Sequence, residues 1–448
     1  MLRTTQIALA SAAFALLAAC GGGSSGDNNS SATPPSGTKL QVVAFGTSLS
    51  DAGTYSEQIT PGFGGGRFTT NPGEVWTQKV SEYFGNTLSP AFEGGFGLPL
   101  TATGGLDYAQ GGALVFTGGV SNTSAAIPAA SEQPVTWQLQ QYLAQHGSFN
   151  ASQLVLVEGG ANEILGLVDN SAAGLTAFGT ALAASSYATL VSNTTVQQQV
   201  AASLVQQGFS TAQATALVPA AVLLQVIKAD TNAATDFASI MPILEAATEL
   251  SNLVNTQIAG TPKVAVVTVP DIGKTPAALA VDAAAKVTPG STGAPDQALS
   301  LITAAYNLTL IQGLSTSIAA KKVVLVDTFS WLDSSIANAS SLGFSVTNTG
   351  TACNLSAMQQ NATNYALAHP SVLGLPSGTS QTVINAAAAV YGAQFASSLF
   401  CSPQTLTTAD APTTYMFADL VHPTTALHAQ FATYVETQLA AAGIGKAP

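Results

Sequence analysis

The sequence predicts an α/β protein built on a doubly wound, mostly parallel sheet, and two observations carry that expectation. Short apolar runs recur along the chain, with longer stretches of helical pattern between them. The runs lack polar alternation, as strands covered on both faces do. Strand followed by helix, repeated, is the pattern of a parallel sheet with crossover helices.

The elements follow in order. The strand candidates are "LQVVAF" (40–45), "LVLVE" (154–158), "VAVVTV" (264–269) and "VVLVD" (323–327). Helical patterns occupy 74–84, 135–145, 238–257 and 299–319. Such sheets bind ligands beyond the carboxyl ends of their strands, where Ser48 and Asn162 fall. Residues 165–236 are too many for one crossover helix and read as a helical insertion. The insertion is either an added helical layer, the favoured reading, or a lid over an acyl-binding groove.

The chain has 448 residues, 47% hydrophobic and 8% charged. That suffices for one large α/β domain or two ordinary ones. Eleven Lys and Arg against 23 Asp and Glu give a net charge of −12. This balance repels phosphate backbones, so nucleic acid is not an expected partner.

Arg3 and the apolar run 7–19 have the form of a targeting segment, too short to span a bilayer comfortably. The run ends in "LLAAC", and small residues before a cysteine resemble the lipobox of bacterial lipoproteins. Residues 1–19 are therefore expected to be a lipoprotein signal peptide, with Cys20 the lipid-bearing residue that meets the membrane. An ordinary signal peptide followed by an incidental cysteine is the alternative. Gly21 after Cys20 leans the resemblance toward the outer membrane or cell surface; otherwise the protein is secreted or periplasmic. Residues 20–38, rich in Gly, Ser, Asn and Pro, read as a flexible tether to a domain spanning 39–448. With Cys20 lipidated, Cys353 and Cys401 remain as a pair in an oxidising compartment. One disulfide is expected, with two free buried thiols as the alternative.

Of four histidines, His146, His369 and His428 read as surface or packing residues. His422 stands in "DLVHP", three residues after Asp419 and before Pro423, which suits the first turn of a final helix. A general base needs a carboxylate to hold its ring in one tautomer, and Asp-x-x-His supplies one locally. Near the start, "FGTSLSDAG" delivers Ser48 from a strand into a turn. The turn is either a plain one or the seat of a nucleophile. His and carboxylates do not cluster at ligand spacings, so no metal is expected. No glycine-rich nucleotide loop follows a strand either, so no cofactor is expected.

Taken together, "GTSLSDAG", "DYAQGGA" (107–113), "VEGGANEI" (157–164) and "DLVHP" (419–423) occur in this order. The set resembles the four blocks of the GDSL, or SGNH, hydrolases, a family of serine esterases and lipases. The resemblance implies a three-layer α/β/α sandwich with a flavodoxin-like sheet. It implies Ser48 as nucleophile, His422 as base and Asp419 as its orienter. It implies an oxyanion hole of Ser48 N–H, Gly112 N–H and the Asn162 side chain, with Gly111 the alternative to Gly112.

The likeness extends over most of 39–443, through "GRFTTNPGEVWTQKVSEYFG" (66–85) and "VPDIGKTP" (269–276). "LGFSVTNTGTAC", ending at Cys353, and the later Cys401 are similar to secreted members. The bacterial phospholipase/lecithinase and outer-membrane esterase branch is the most similar. Members fused to a membrane barrel carry a long C-terminal region of alternating strands. Here the chain ends soon after His428, so no barrel is expected and Cys20 serves as anchor. Two positions depart from the pattern: Thr47 and Glu163 stand where the family usually has Asp. Both are expected to support loops by hydrogen bonding. The implied activity is hydrolysis of carboxylic esters, of a lipid or a small acyl ester, through an acyl-serine. The alternatives are a catalytically degenerate surface binding protein on the same fold, or an acyltransferase using the same acyl-enzyme.

Overall fold

The computed structural model describes residues 39–95, 98–116, 132–169, 173–287 and 294–445. The expected signal peptide, Cys20 and the tether lie outside the described residues.

Six strands form: β1 (Gln41–Phe45), β2 (Phe92–Gly95), β3 (Leu98–Ala102), β4 (Gln153–Val157), β5 (Lys263–Val267) and β6 (Val323–Val326). Strands β1, β4, β5 and β6 make a parallel sheet in that order, and β2 and β3 make a small antiparallel pair. Phe45 pairs with Val157, and Val157 with Val266, so the carboxyl ends of three strands finish level. The turns after β1 and β4 therefore open onto the same edge of the sheet. Outside β1, Tyr108 N–H donates to the Ala44 carbonyl and Ala44 N–H to the Leu106 carbonyl. A single parallel bridge, Ala44 to Asp107, results. It brings the segment before Gly111 and Gly112 to that same edge.

The missing polar alternation has a direct cause. Successive strand side chains point to opposite faces. Val43, Phe45, Val155, Val157, Val264 and Val266 pack on one side, with the helices Val135–His146, Met241–Thr256 and Pro295–Ala319. Val42, Ala44, Leu154, Leu156, Ala265 and Val267 pack on the other, with Trp76 and Val80 of helix Trp76–Tyr83 and Phe431, Val435 and Leu439 of helix Thr425–Ala441. Both faces are buried, which is compatible with α/β/α layering.

The long stretch after β4 is helical, and its longest helix, Thr211–Ala229, packs against Pro295–Ala319. Both helices are long and apolar enough to cross a membrane, yet 44% and 50% of their apolar windows are buried inside the fold. Packing of helix on helix buries part of that apolar surface. Cys353 and Cys401 form a disulfide with Cα atoms 5.8 Å apart. They sit in a separate core with Tyr365, Leu399 and Phe400.

Candidate active site

β1 ends at Phe45, and the chain turns through Gly46 and Thr47 to Ser48. The turn is held from two sides. Gly46 N–H donates to Gln138 Oε1 (2.9 Å), and Gln138 Nε2 donates back to the Gly46 carbonyl (2.8 Å). Thr47 N–H and Thr47 Oγ1 both donate to the carboxyl of Glu158, the residue just past β4. A Cβ at Gly46 would collide with that carboxyl, so glycine is required for the close approach.

Ser48 Oγ lies 2.8 Å from His422 Nε2, across 374 residues of sequence. His422 Nδ1 lies 2.7 Å from Asp419 Oδ2. Asp419 Oδ1 accepts from the backbone N–H groups of Val421 (2.8 Å) and His422 (2.7 Å). Ser398 N–H donates to Oδ2, the oxygen that faces the imidazole. Burial pushes the Asp419 carboxyl up, but the charge and hydrogen bonds of His422, with the backbone donors, outweigh it and bring it to about 2. An ionised Asp419 can only accept, so His422 Nδ1 carries the proton and Nε2 is left to take the one on Ser48. The Phe68 ring packs on the imidazole at 5.0 Å between centroids, fixing its plane.

Of the expected oxyanion donors, Ser48 and Asn162 line one cavity with His422. Asn162 lies in the first turn of the helix Ala161–Asp169. Its Nδ2 donates one hydrogen to the Ala113 carbonyl (2.7 Å), which ties Asn162 to the residue after Gly112. Of the two candidate glycines, Gly111 has its N–H committed to Asp51 Oδ2 (2.9 Å). The N–H groups of Ser48 and Gly112 have no acceptor among the described residues. Gly112 has φ +80°, and a Cβ there would lie 2.8 Å from the Glu132 carboxyl carbon, so an alanine would be strained twice over.

The sequence reading missed the supports. Asp51 accepts from Gly53 N–H (2.8 Å), Thr54 N–H (2.7 Å) and Gly111 N–H, tying the serine turn to the glycine loop. Asp107 accepts from Ala52 N–H (2.9 Å) and Ala109 N–H (3.0 Å), tying the same two segments again. Asn71 Nδ2 donates to the Ser398 carbonyl (3.1 Å), behind Asp419. One signal was visible: Glu158 is a charge closing an otherwise apolar run that both faces bury.

Electrostatically the site is asymmetric. Burial raises Asp51 and Glu158, and raises Asp107 well above its usual range with help from the Asp51 charge. Burial also pushes Glu163 up to about 7; its Oε1 accepts from Val115 N–H (2.6 Å) while Oε2 has no partner. Asp419 is the carboxyl held ionised, and it is the one against the histidine. Among the described residues, no group of three or more His, Cys, Asp or Glu is placed to hold a metal ion.

A cavity of about 70 Å³ opens between Ser48, Asn162 and His422, and the helices of 173–236 take no part in its wall. A larger groove, about 3230 Å³, lies between those helices and Pro295–Ala319 and reaches none of these three residues. Comparison with protein-family models finds no match, and comparison with curated proteins finds no similar one.

Proposed function

We propose that the chain is a serine ester hydrolase of the GDSL (SGNH) type, cleaving carboxylic esters through an acyl-serine. The observation that carries this reading is the continuous line Ser48 Oγ, His422 Nε2, His422 Nδ1, Asp419 Oδ2, with spacings of 2.8 and 2.7 Å at its two hydrogen bonds. The order of the sheet, with 106–108 outside β1, agrees with a flavodoxin-like arrangement.

The chemistry follows from the geometry. Ser48 Oγ attacks the ester carbonyl as its proton passes to His422 Nε2. The imidazolium that forms is stabilised by the Asp419 carboxylate. Negative charge gathers on the former carbonyl oxygen, where Ser48 N–H, Gly112 N–H and the second hydrogen of Asn162 Nδ2 can donate. His422 returns the proton to the departing alcohol, leaving the acyl-serine. Water then attacks that ester, giving a proton to His422, which returns it to Ser48 Oγ as the acyl–oxygen bond breaks and the carboxylic acid leaves. An alcohol in place of water would give acyl transfer by the same route.

The lipoprotein features before residue 39 support attachment to a bacterial envelope through Cys20. The activity is tested by a fluorophosphonate probe and a chromogenic short-chain ester. The wild type should label at Ser48 and hydrolyse the ester; Ser48→Ala should do neither while keeping its fold. An unlabelled, inactive wild type would instead indicate a binding protein on this scaffold.

A further inference from the structure

We infer that the site takes esters of short acyl chains, of about two to four carbons, and that Trp331 and Phe431 set this limit. The inference rests on the esterase reading and goes beyond it, because nothing in that reading specifies an acyl length.

The cavity beside Ser48 holds about 70 Å³. That is roughly half the volume of an apolar cavity of ~150 Å³ that admits benzene, so it has room for about three or four carbon atoms. Its wall beyond Ser48, Asn162 and His422 is mainly apolar, with Ile272, Leu332, Phe417 and Leu427 joining Trp331 and Phe431. Several lining hydroxyls are engaged within the protein. Thr47 Oγ1 donates to Glu158, Thr275 Oγ1 donates to the Ile272 carbonyl (2.7 Å), and Thr268 Oγ1 accepts from Thr328 N–H (2.9 Å). Thr328 Oγ1 is buried without a partner. An alkyl chain therefore meets a wall with little to desolvate.

The aromatic part of the wall is braced. Phe431 lies between Trp76 (5.0 Å) and Trp331 (4.9 Å), and Trp331 also stacks on Tyr434 (6.0 Å). Close-packed aromatic rings do not give way to an extra methylene without strain. The large groove cannot extend the pocket in this conformation: Thr268 is the one lining residue the two cavities share, and it is 2% exposed.

The full chain is assayed with p-nitrophenyl acetate, butyrate, octanoate and palmitate. The expected result is a kcat/KM at least about 10-fold higher for acetate or butyrate than for octanoate, the discrimination a packed apolar pocket achieves. Equal or better turnover of octanoate or palmitate overturns the inference and leaves the esterase reading standing. Hydrolysis of none of the four overturns both. Trp331→Ala, checked for folding by its denaturation midpoint, should raise the octanoate-to-butyrate ratio by about 10-fold. A folded variant with the wild-type ratio would remove Trp331 as the limiting wall. The wild-type panel decides the chain-length question even if that variant does not fold.

Discussion

Thr47 and Glu158 are joined twice: the backbone N–H and the hydroxyl of Thr47 both donate to one buried carboxyl, 111 residues away in the chain. The pair sits immediately before Ser48 and joins the ends of two neighbouring strands. Glu158→Gln keeps an acceptor and should reduce kcat modestly. Glu158→Ala leaves two buried donors unpaired, at a cost of about 1–3 kcal/mol per group, and loosens the serine turn. Its kcat should fall while KM stays near the wild-type value. An alanine variant with full kcat would show that the pair does not position Ser48.

Asp419→Asn should cut kcat by about 10⁴, because the amide no longer selects the productive tautomer of His422. It should also change acid stability. The Asp419 carboxyl is at about 2 in the folded chain against an ordinary 3.8. A depressed folded value gives stability that is present above pH ~4 and lost as pH falls toward 2. Urea midpoints between pH 5 and 2 should thus fall more steeply for the wild type than for the Asn variant. Parallel curves would contradict the ionised assignment.

Asn162→Ala removes one proposed oxyanion donor and should lower kcat by about 10²–10³ with little change in KM. A change confined to KM would place Asn162 in ground-state binding instead.

Ser398 N–H holds the Asp419 oxygen that faces His422, and Cys401, three residues on, is tied to Cys353. Cys353 N–H in turn donates to the Ala418 carbonyl, next to Asp419 (3.0 Å). Reduction, or Cys401→Ser, should lower both stability and kcat. For partners 48 residues apart, the loop-entropy contribution is about 4 kcal/mol. Reduced protein with unchanged kcat would separate the bridge from the histidine–carboxylate pair.

Glu163 gives the opposite pH sign from Asp419. Its folded value is raised to about 7 from 4.5, chiefly by burial. It therefore adds stability that is present below pH ~4.5 and lost as pH rises through 7. Glu163→Gln should flatten the decline in denaturation midpoint between pH 5 and 8. An unaltered slope would show that Glu163 does not titrate there.

Much of the framework was legible along the chain. The four parallel strands are apolar runs because both of their faces are covered, and that composition survives without any knowledge of partners. The helical patterns at 135–145, 238–257 and 299–319 were visible as well, and the helices Val135–His146, Met241–Thr256 and Pro295–Ala319 form there. Local setting left Ser48 and the Asp419–His422 pair as candidates, and the resemblance of four ordered blocks singled out Ser48, Asn162, Asp419 and His422 together.

What the chain could not show is anything set by separation in space. The linear reading put Gly112 forward by matching position but left Gly111 as the alternative. Asp51 distinguishes them by capturing one N–H, and that depends on where two distant turns meet. The role of Ser398 rests on a backbone N–H, which every residue but proline carries and no side chain announces. The pattern of 165–236 favoured an added helical layer over a lid without deciding between them, and the fold packs helix Thr211–Ala229 against Pro295–Ala319 while Leu165 lines the small cavity. Residue type and order thus determined the parallel sheet and which residues could do chemistry. Only the tertiary structure decided which of them touch, because a hydrogen bond across 374 residues depends on packing and not on local pattern.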